Sequence, residues 1–380
     1  MNILFPYMAR WKSINWTRYH NLFTEFAKRG HNICIIQPPS LKSEETNFLE
    51  INIEIPRNIN LITIENIPFW NLNIPFPKIL KKGLYSYILS KKIDGYIKKF
   101  DIDVVFIYNI PQYLLIKKIK RKAKIIFDIS DDYPEMLIHE IKFFKNLIRN
   151  FGKLFLNKII KMSDLVITSA NGLKEKYYRN AYLIPNGVDL NLLKNYKVEK
   201  KDRIIIGFIG SFEYFIDFDL IFYLAKNLKN IEFYLVGRGR LFKYVKNYLE
   251  KENLKNIILT GQISHDRISE YLNKFDLALL PLKRGEVSDN TCPLKLFEYA
   301  LFKISVIGSN TKELKLIGEK FINFYQSKED ALNLIKEFLE NKNKFIKKCE
   351  YGYELVNKKY NWQSLADEYL RIIEKELKIN

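Results

Sequence analysis

Ser288-Asp289-Asn290-Thr291-Cys292-Pro293-Leu294-Lys295-Leu296-Phe297-Glu298-Tyr299-Ala300, followed closely by Ile304-Ser305-Val306-Ile307-Gly308, decides the fold class of this 380-residue chain. Asn290 or Thr291 can cap free backbone N–H groups, and Pro293 suits a first turn, where its missing donor costs nothing. A helix is therefore expected from about 291 to 302. The apolar run after it is short, β-branched and closed by Gly308, the pattern of a buried strand. Helix then strand implies an α/β fold. In an open parallel sheet such a helix runs antiparallel to the strands, so it starts at their carboxyl edge, where these folds bind ligands. At about 3.6 residues per turn, Leu294, Phe297 and Leu301 form an inward stripe, while Thr291, Lys295 and Glu298 share the opposite face. The helix start favours an anion, Lys295 adds a point charge for a phosphate, and Glu298 can accept hydrogen bonds from sugar hydroxyls. An ordinary Lys–Glu pair on a solvated helix face accounts for the same pattern.

Working outward, short β-branched runs alternate with helical patterns. Strands are expected at 32–36, 104–107, 125–127 and 165–168, then at 204–208, 233–236, 257–259, 277–280 and 304–307. Helices are expected near 15–29, 77–99, 111–121, 143–162 and 170–179, and near 217–228, 240–252, 265–274, 291–302 and 328–341. Such alternation predicts parallel βα units with helices on both sheet faces. The charged, strand-poor stretch 191–202 reads as a linker. The expected layout is an N-terminal domain over 1–190, a second over 203–360, and a final helix over 361–380 that crosses back to the first. Two Rossmann-like parallel-sheet domains would face each other across a ligand-binding cleft.

Composition narrows the partners. Lys and Arg total 62 against 43 Asp and Glu, a net charge of +19, which favours nucleic acid, anionic lipid or nucleotide substrates. A chain rich in Lys, Asn and Ile throughout produces the same excess without any patch. Cys34, Cys292 and Cys349 are far apart and show no CxxC spacing, so neither a disulfide framework nor a structural zinc site is expected. His20, His31, His139 and His265 form no metal pair at helical spacing. The N-terminus lacks a signal-peptide core and no stretch is long and apolar enough to span a membrane, so a cytoplasmic location is expected.

Several turns carry possible chemistry. Gly207-Phe208-Ile209-Gly210-Ser211 follows a strand, and small residues there let the backbone approach a phosphate. No GxGxxG or GxxxxGK occurs, which excludes a nucleotide-hydrolysing P-loop and leaves a dinucleotide fingerprint absent. Gly237-Arg238-Gly239 follows the next strand, placing Arg238 at the same edge, and Asn186-Gly187 is a turn whose backbone can meet a ligand. In the first half, Asp128-Ile129-Ser130-Asp131-Asp132 follows a buried strand, and mutual repulsion there can raise one pKa to give a general base. Two basic, aromatic stretches, Phe69–Lys99 and Lys142–Lys161, suit either an anionic membrane surface or packing on the domain's own sheet. The second has an apolar stripe of Phe144, Leu147, Phe151, Phe155 and Ile159 beside Lys145, Arg149, Lys153 and Lys158.

On Ile184 to Asp189, Ile206 to Ser211, Leu235-Val236-Gly237, Phe275 to Pro281 and Asn290 to Ala300, the chain resembles a glycosyltransferase of the GT-B fold. The group is glycosyl transferases group 1, or family 4, and the subgroup resembled builds bacterial surface polysaccharides such as teichuronic acid. The motifs cover most of the second domain in order. The first domain matches more loosely, through Trp11, Arg29-Gly30-His31 and Phe127 to Pro134. The resemblance implies that Glu298 binds the ribose of a nucleotide-sugar donor and that the adjoining helix start holds the diphosphate. Asn290 stands where the family often has a second glutamate, and the basic residue usual after the Gly210 loop is missing, so Arg238, Lys283, Arg284 or Lys295 must supply the charge.

The resulting expectation is a metal-independent hexosyltransferase-like enzyme with no cofactor. It would move sugar from a nucleoside-diphosphate sugar to a saccharide or polyprenyl/lipid-linked acceptor, on or near the membrane's inner face, without nucleic acid. Donor contacts are expected at Gly210, Ser211, Arg238, Asn290, Thr291, Lys295 and Glu298, and acceptor chemistry at Asp131 or Asp132. A sugar-nucleotide epimerase of the same fold and a non-catalytic binder of nucleic acid or other anions are the alternatives. A flavin or nicotinamide oxidoreductase would need the absent glycine fingerprint.

Overall fold

Runs that are apolar at every position, such as Val104–Ile107 and Leu277–Leu280, become strands buried on both faces. They build two parallel sheets in the computed structural model, which describes residues 1–12, 16–40, 55–68, 70, 78–140, 144–195 and 203–379. Phe69, the run 71–77, Lys142 and residues 196–202 of the expected linker lie outside the described residues. The chain divides into two units, Met1–Pro185 with Leu365–Asn380, and Asn186–Ser364.

In the first unit the strands are β1 (Asn2–Pro6), β2 (Asn32–Gln37), β3 (Ile59–Thr63), β4 (Val104–Ile107), β5 (Lys124–Ile129), β6 (Leu165–Thr168) and β7 (Tyr182–Leu183). Their order is β3-β2-β1-β4-β5-β6-β7, all parallel. β1 is an interior strand, with Leu4 opposite both Cys34 and Val105. Helices Arg18–Lys28, Lys78–Lys99, Tyr113–Ile119, Tyr133–Glu140, Lys145–Met162 and Asn171–Tyr177 connect the strands, and Trp362–Leu377 joins this unit from Leu365 onward. That last helix is anchored in the core: the Tyr369 hydroxyl donates to Asp128 Oδ2 at 2.9 Å, beside the buried Arg18–Asp128 ion pair at 3.1 Å.

The second unit carries β8 (Ile205–Ile209), β9 (Glu232–Val236), β10 (Ile257–Gly261), β11 (Leu277–Leu280), β12 (Ser305–Ser309) and β13 (Ile322–Tyr325), in the order β10-β9-β8-β11-β12-β13. The α/β class and the alternation expected from sequence hold. β1, β3 and β13 and the helices Tyr133–Glu140, Lys312–Gly318 and Asn343–Lys358 were not among the expected elements. β1 and β13 are short runs whose strand character comes from pairing with neighbours distant in sequence, as Asn2 with Asn32 and Val306 with Ile322.

Candidate functional site

The strand order of the second sheet changes direction between β8 and β11, so the loops leaving those strands diverge at their carboxyl ends and open a crevice. Two glycine turns build one side of it. Gly210 ends β8 at φ +143° and donates its N–H to Val236 O at 2.9 Å. Gly237, at φ +133°, lies so close that a Cβ there would sit 2.1 Å from Gly210 O. Only glycine lets the two turns cross at that distance. The Phe212 N–H donates to Arg238 O at 3.2 Å, extending the link between the two loops.

Helix Leu294–Leu301 forms the other side, and it differs from the expected helix in two respects. Neither Asn290 nor Thr291 caps it: Pro293 holds the N-cap position in extended backbone, and a one-turn helix Glu286–Asp289 precedes it. Asn290 terminates that turn with its N–H on Glu286 O at 3.1 Å, and the Thr291 hydroxyl donates back to Val287 O at 2.5 Å. The local run Gly285-Glu286-Val287-Ser288-Asp289 forms its own hydrogen bonds and so takes both residues from the later helix. The second difference is burial. Leu296 through Leu301 are all buried whereas Leu294 is half-exposed, so the expected apolar stripe shifts and no solvated face remains beyond the first turn. Phe297 stacks on Tyr360 at 4.9 Å, and Gly352 of helix Asn343–Lys358 faces Ala300.

This burial changes the meaning of Lys295 and Glu298. Lys295 reaches over the Gly210 loop, where a Cβ on Gly210 would meet its Cε at 2.7 Å and its Nζ at 2.8 Å; the ammonium lies 4.8 Å from the Phe208 ring centroid. Glu298 is 8% exposed. Among the described residues, neither side chain has a hydrogen bond or an ion pair. Burial pushes the Glu298 carboxyl up to about 7, with the Lys295 charge partly opposing, and burial brings the Lys295 ammonium down to about 8, with Glu298 partly opposing. The solvated surface pair considered from sequence is therefore not what forms.

Residues that sequence reasoning missed fix this geometry. The Tyr299 hydroxyl accepts the Ile209 N–H at 2.9 Å, tying the helix to the end of β8. Asn186 Nδ2 donates to Cys292 O at 2.6 Å, bracing the approach to the helix start. A tyrosine within an apolar helical run carried no signal beyond packing; Asn186 was noted only as a turn residue. Of the other expected donor contacts, Ser211 is exposed, and exposed Arg238 holds its guanidinium 5.5 Å from the Phe242 ring. Gly210 and Lys295 meet, while Asn290 and Thr291 belong to the turn before the helix.

The first unit separates the two aspartates. Asp131 is exposed and accepts from the Ser130 hydroxyl at 3.3 Å, which also takes the Tyr19 hydroxyl proton at 3.1 Å and lies 3.1 Å from the Tyr133 hydroxyl. Desolvation raises the Asp131 carboxyl above its ordinary value, the Ser130 hydrogen bond opposes this, and Asp132 and Asp128 add to the rise. Asp132 is buried, with Lys176 Nζ at 2.7 Å and a short hydrogen bond from the Tyr177 hydroxyl. Among the described residues, no group of three or more His, Cys, Asp or Glu side chains could hold a metal ion, and no helix is long and apolar enough to cross a membrane.

The family profile of Glycosyltransferase Family 4 matches residues 16–192, and that of Glycosyl transferases group 1 matches residues 191–355. The chain belongs to the group 1 glycosyl transferases. In this family member the two parallel-sheet α/β units are those of the GT-B fold. A Bacillus subtilis (strain 168) protein, TuaH, whose name assigns it to teichuronic acid biosynthesis as a glycosyltransferase, is 22% identical over 242 residues, 60% of this chain and 61% of the relative. The match thus spans about three fifths of that curated relative's length. Among solved structures, sucrose-phosphate synthase from Thermosynechococcus elongatus superposes with a TM-score of 0.77 at 14% identity, over 99% of both chains. Anabaena HepE in complex with UDP-glucose superposes with a TM-score of 0.68 at 13% identity, over 99% of this chain and 100% of that one. At such identities the likeness is one of fold.

Proposed function

We propose that this group 1 family member transfers a sugar from a nucleoside-diphosphate sugar to a saccharide or lipid-linked acceptor in the synthesis of surface polysaccharide. The observation that carries the reading is the buried Glu298 beside the half-buried Lys295, neither with a hydrogen bond or ion pair among the described residues, next to the Gly210 and Gly237 turns. A buried carboxylate without a donor and a half-buried ammonium without an acceptor are costly, and a ligand with hydroxyls and a diphosphate satisfies both. Glu298 accepts from the ribose hydroxyls, and Lys295 meets the diphosphate. The Gly210 turn lets the ligand approach, Ser211 and the start of helix Leu294–Leu301 add backbone N–H groups, and Arg238 a further charge, where negative charge grows as the sugar leaves. Charge stabilisation comes from side chains and backbone, with no step through a metal.

On the acceptor side, Asp131 is the better placed carboxylate, because it is exposed with a raised affinity for protons, whereas Asp132 is held by Lys176 and Tyr177. Asp132 in this reading positions the loop. The enzyme works in the cytoplasm, at the inner face of the membrane when the acceptor is lipid-linked. UDP-glucose, the ligand named with Anabaena HepE, is the first donor to try. Calorimetry should show nucleotide-sugar binding that Glu298→Gln weakens by about 30- to 100-fold, the loss of about one hydrogen bond to a charged group. Equal affinity in the variant overturns the ribose assignment. Product analysis with and without acceptor extracts separates transfer from donor epimerisation.

A further inference from the structure

Helix Lys145–Met162 shows large apolar side chains on its solvent side as well as on its inner side. Gly152, Leu156, Ile159 and Ile160 are buried in the unit. On the outer side Leu147, Phe151 and Leu154 are 55%, 52% and 53% exposed, and Phe144, at the N-cap, is 79% exposed. Spaced three, four and three residues apart, these four fall on one line about 15 Å long. The apolar stripe expected from sequence therefore splits. Ile159 enters the core and Phe155 packs on Tyr113 at 5.2 Å, while Phe144, Leu147 and Phe151 remain outside and Leu154 joins them.

The charge carried by this helix itself has one sign. From Phe144 to Met162 there is no Asp or Glu, and the line continues into exposed Lys158 and Lys161. Arg149 is paired with Glu135 at 2.8 Å and lies off the line. The neighbouring helix Tyr113–Ile119 packs alongside and adds exposed Leu114, Lys117 and Lys118. Four large apolar groups in a row, ending in cations, match a helix lying in the interface of an anionic bilayer. Two copies pairing through the same face would find no Asp or Glu on it to meet these lysines, so charge favours an anionic surface over self-association.

We propose that helix Lys145–Met162 docks this chain on anionic phospholipid. Phe144, Leu147, Phe151 and Leu154 enter the acyl boundary, and Lys158, Lys161, Lys117 and Lys118 face headgroup phosphates. The inference extends the lipid-linked acceptor of the proposed function, yet it is tested without donor or acceptor. Vesicles of phosphatidylcholine alone and of phosphatidylcholine with one-third phosphatidylglycerol are floated with the full chain. Binding is expected to the second only, and to weaken as salt screens the surface. Phe151→Glu with Leu154→Glu, and separately Lys158→Glu with Lys161→Glu, should each lower binding at least about tenfold. Phe151→Trp should shift its emission to the blue on vesicles, a readout that keeps the test alive if a charge variant misfolds.

UDP-glucose affinity is measured alongside and should be unchanged in these variants. Retained vesicle binding by the Phe151/Leu154 variant, no preference for phosphatidylglycerol, or a dimer broken by that variant in a chain that ignores vesicles overturns the proposal. Absent nucleotide-sugar binding in the parent breaks the proposed donor site and leaves membrane docking standing.

Discussion

The carboxyl edges of the two sheets hold their buried charges in opposite ways. In the first unit Asp128 meets Arg18 and Tyr369, and Asp132 meets Lys176 and Tyr177. In the second, Glu298 is buried and Lys295 half-buried within one helical turn of each other, yet neither forms a hydrogen bond or ion pair among the described residues. A paired buried charge belongs to the architecture, and removing its partner strands it. An unpaired one strains the empty protein and is relieved by a ligand. From sequence both the Asp-rich loop and the Lys–Glu helix offer possible chemistry; partners distant in the chain tell them apart.

The largest effect that tests this contrast is Lys176→Met. It leaves Asp132 without its cation and should destabilise the protein by about 3 kcal/mol, read as a fall in calorimetric Tm, while the folded protein keeps its nucleotide-sugar affinity. Glu298→Gln should do the reverse, weakening the donor while the Tm at pH 8 holds or rises. A large loss of Tm in Glu298→Gln, with none in Lys176→Met, breaks the comparison.

A middle-sized effect is pH dependence. The raised Glu298 pKa means that its contribution to stability is present below about 4.5 and lost as pH rises to about 7. The lowered Lys295 pKa acts in the other direction: its contribution is present above about 10.5 and lost as pH falls to about 8. Between about 7 and about 8 both are mostly ionised and the donor-free protein carries the full penalty. Donor binding needs both charges, so affinity should peak in that window and decline on either side. Calorimetry from acid to alkaline pH checks this; a flat profile, or an acid limb that survives Glu298→Gln, counts against it.

The smallest effect sharpens the contrast. Tyr299→Phe leaves the Ile209 N–H without its acceptor and should lower stability by about 1 kcal/mol, with a few-fold loss of donor affinity as the helix loosens from β8. Unchanged affinity with the expected stability loss would confine Tyr299 to the fold.

Much of the fold was legible because wholly apolar strands and periodic helices announce themselves locally, as at Val104–Ile107 and Phe218–Asn227. β1 and β13 were not, since each is short and gains its strand character from partners elsewhere in the chain. Of the candidate site, the Lys295–Glu298 spacing and the two glycine turns were readable. Their burial was not, because it depends on Tyr360, helix Asn343–Lys358 and the rest of the unit packing around Leu294–Leu301. The cap was misplaced because Glu286–Asp289 forms a turn of its own, and Asn290 and Thr291 complete it.

Helix Trp362–Leu377 has a consequence for how the molecule is made. Arg18 and Asp128 emerge from the ribosome early, whereas Tyr369, which donates to the same carboxylate oxygen, follows only after the whole of Asn186–Ser364. A nascent chain released as far as Pro185 has every strand of the first sheet but lacks the aromatic lid over its buried ion pair. The earlier unit is sealed only after the later one has been synthesised.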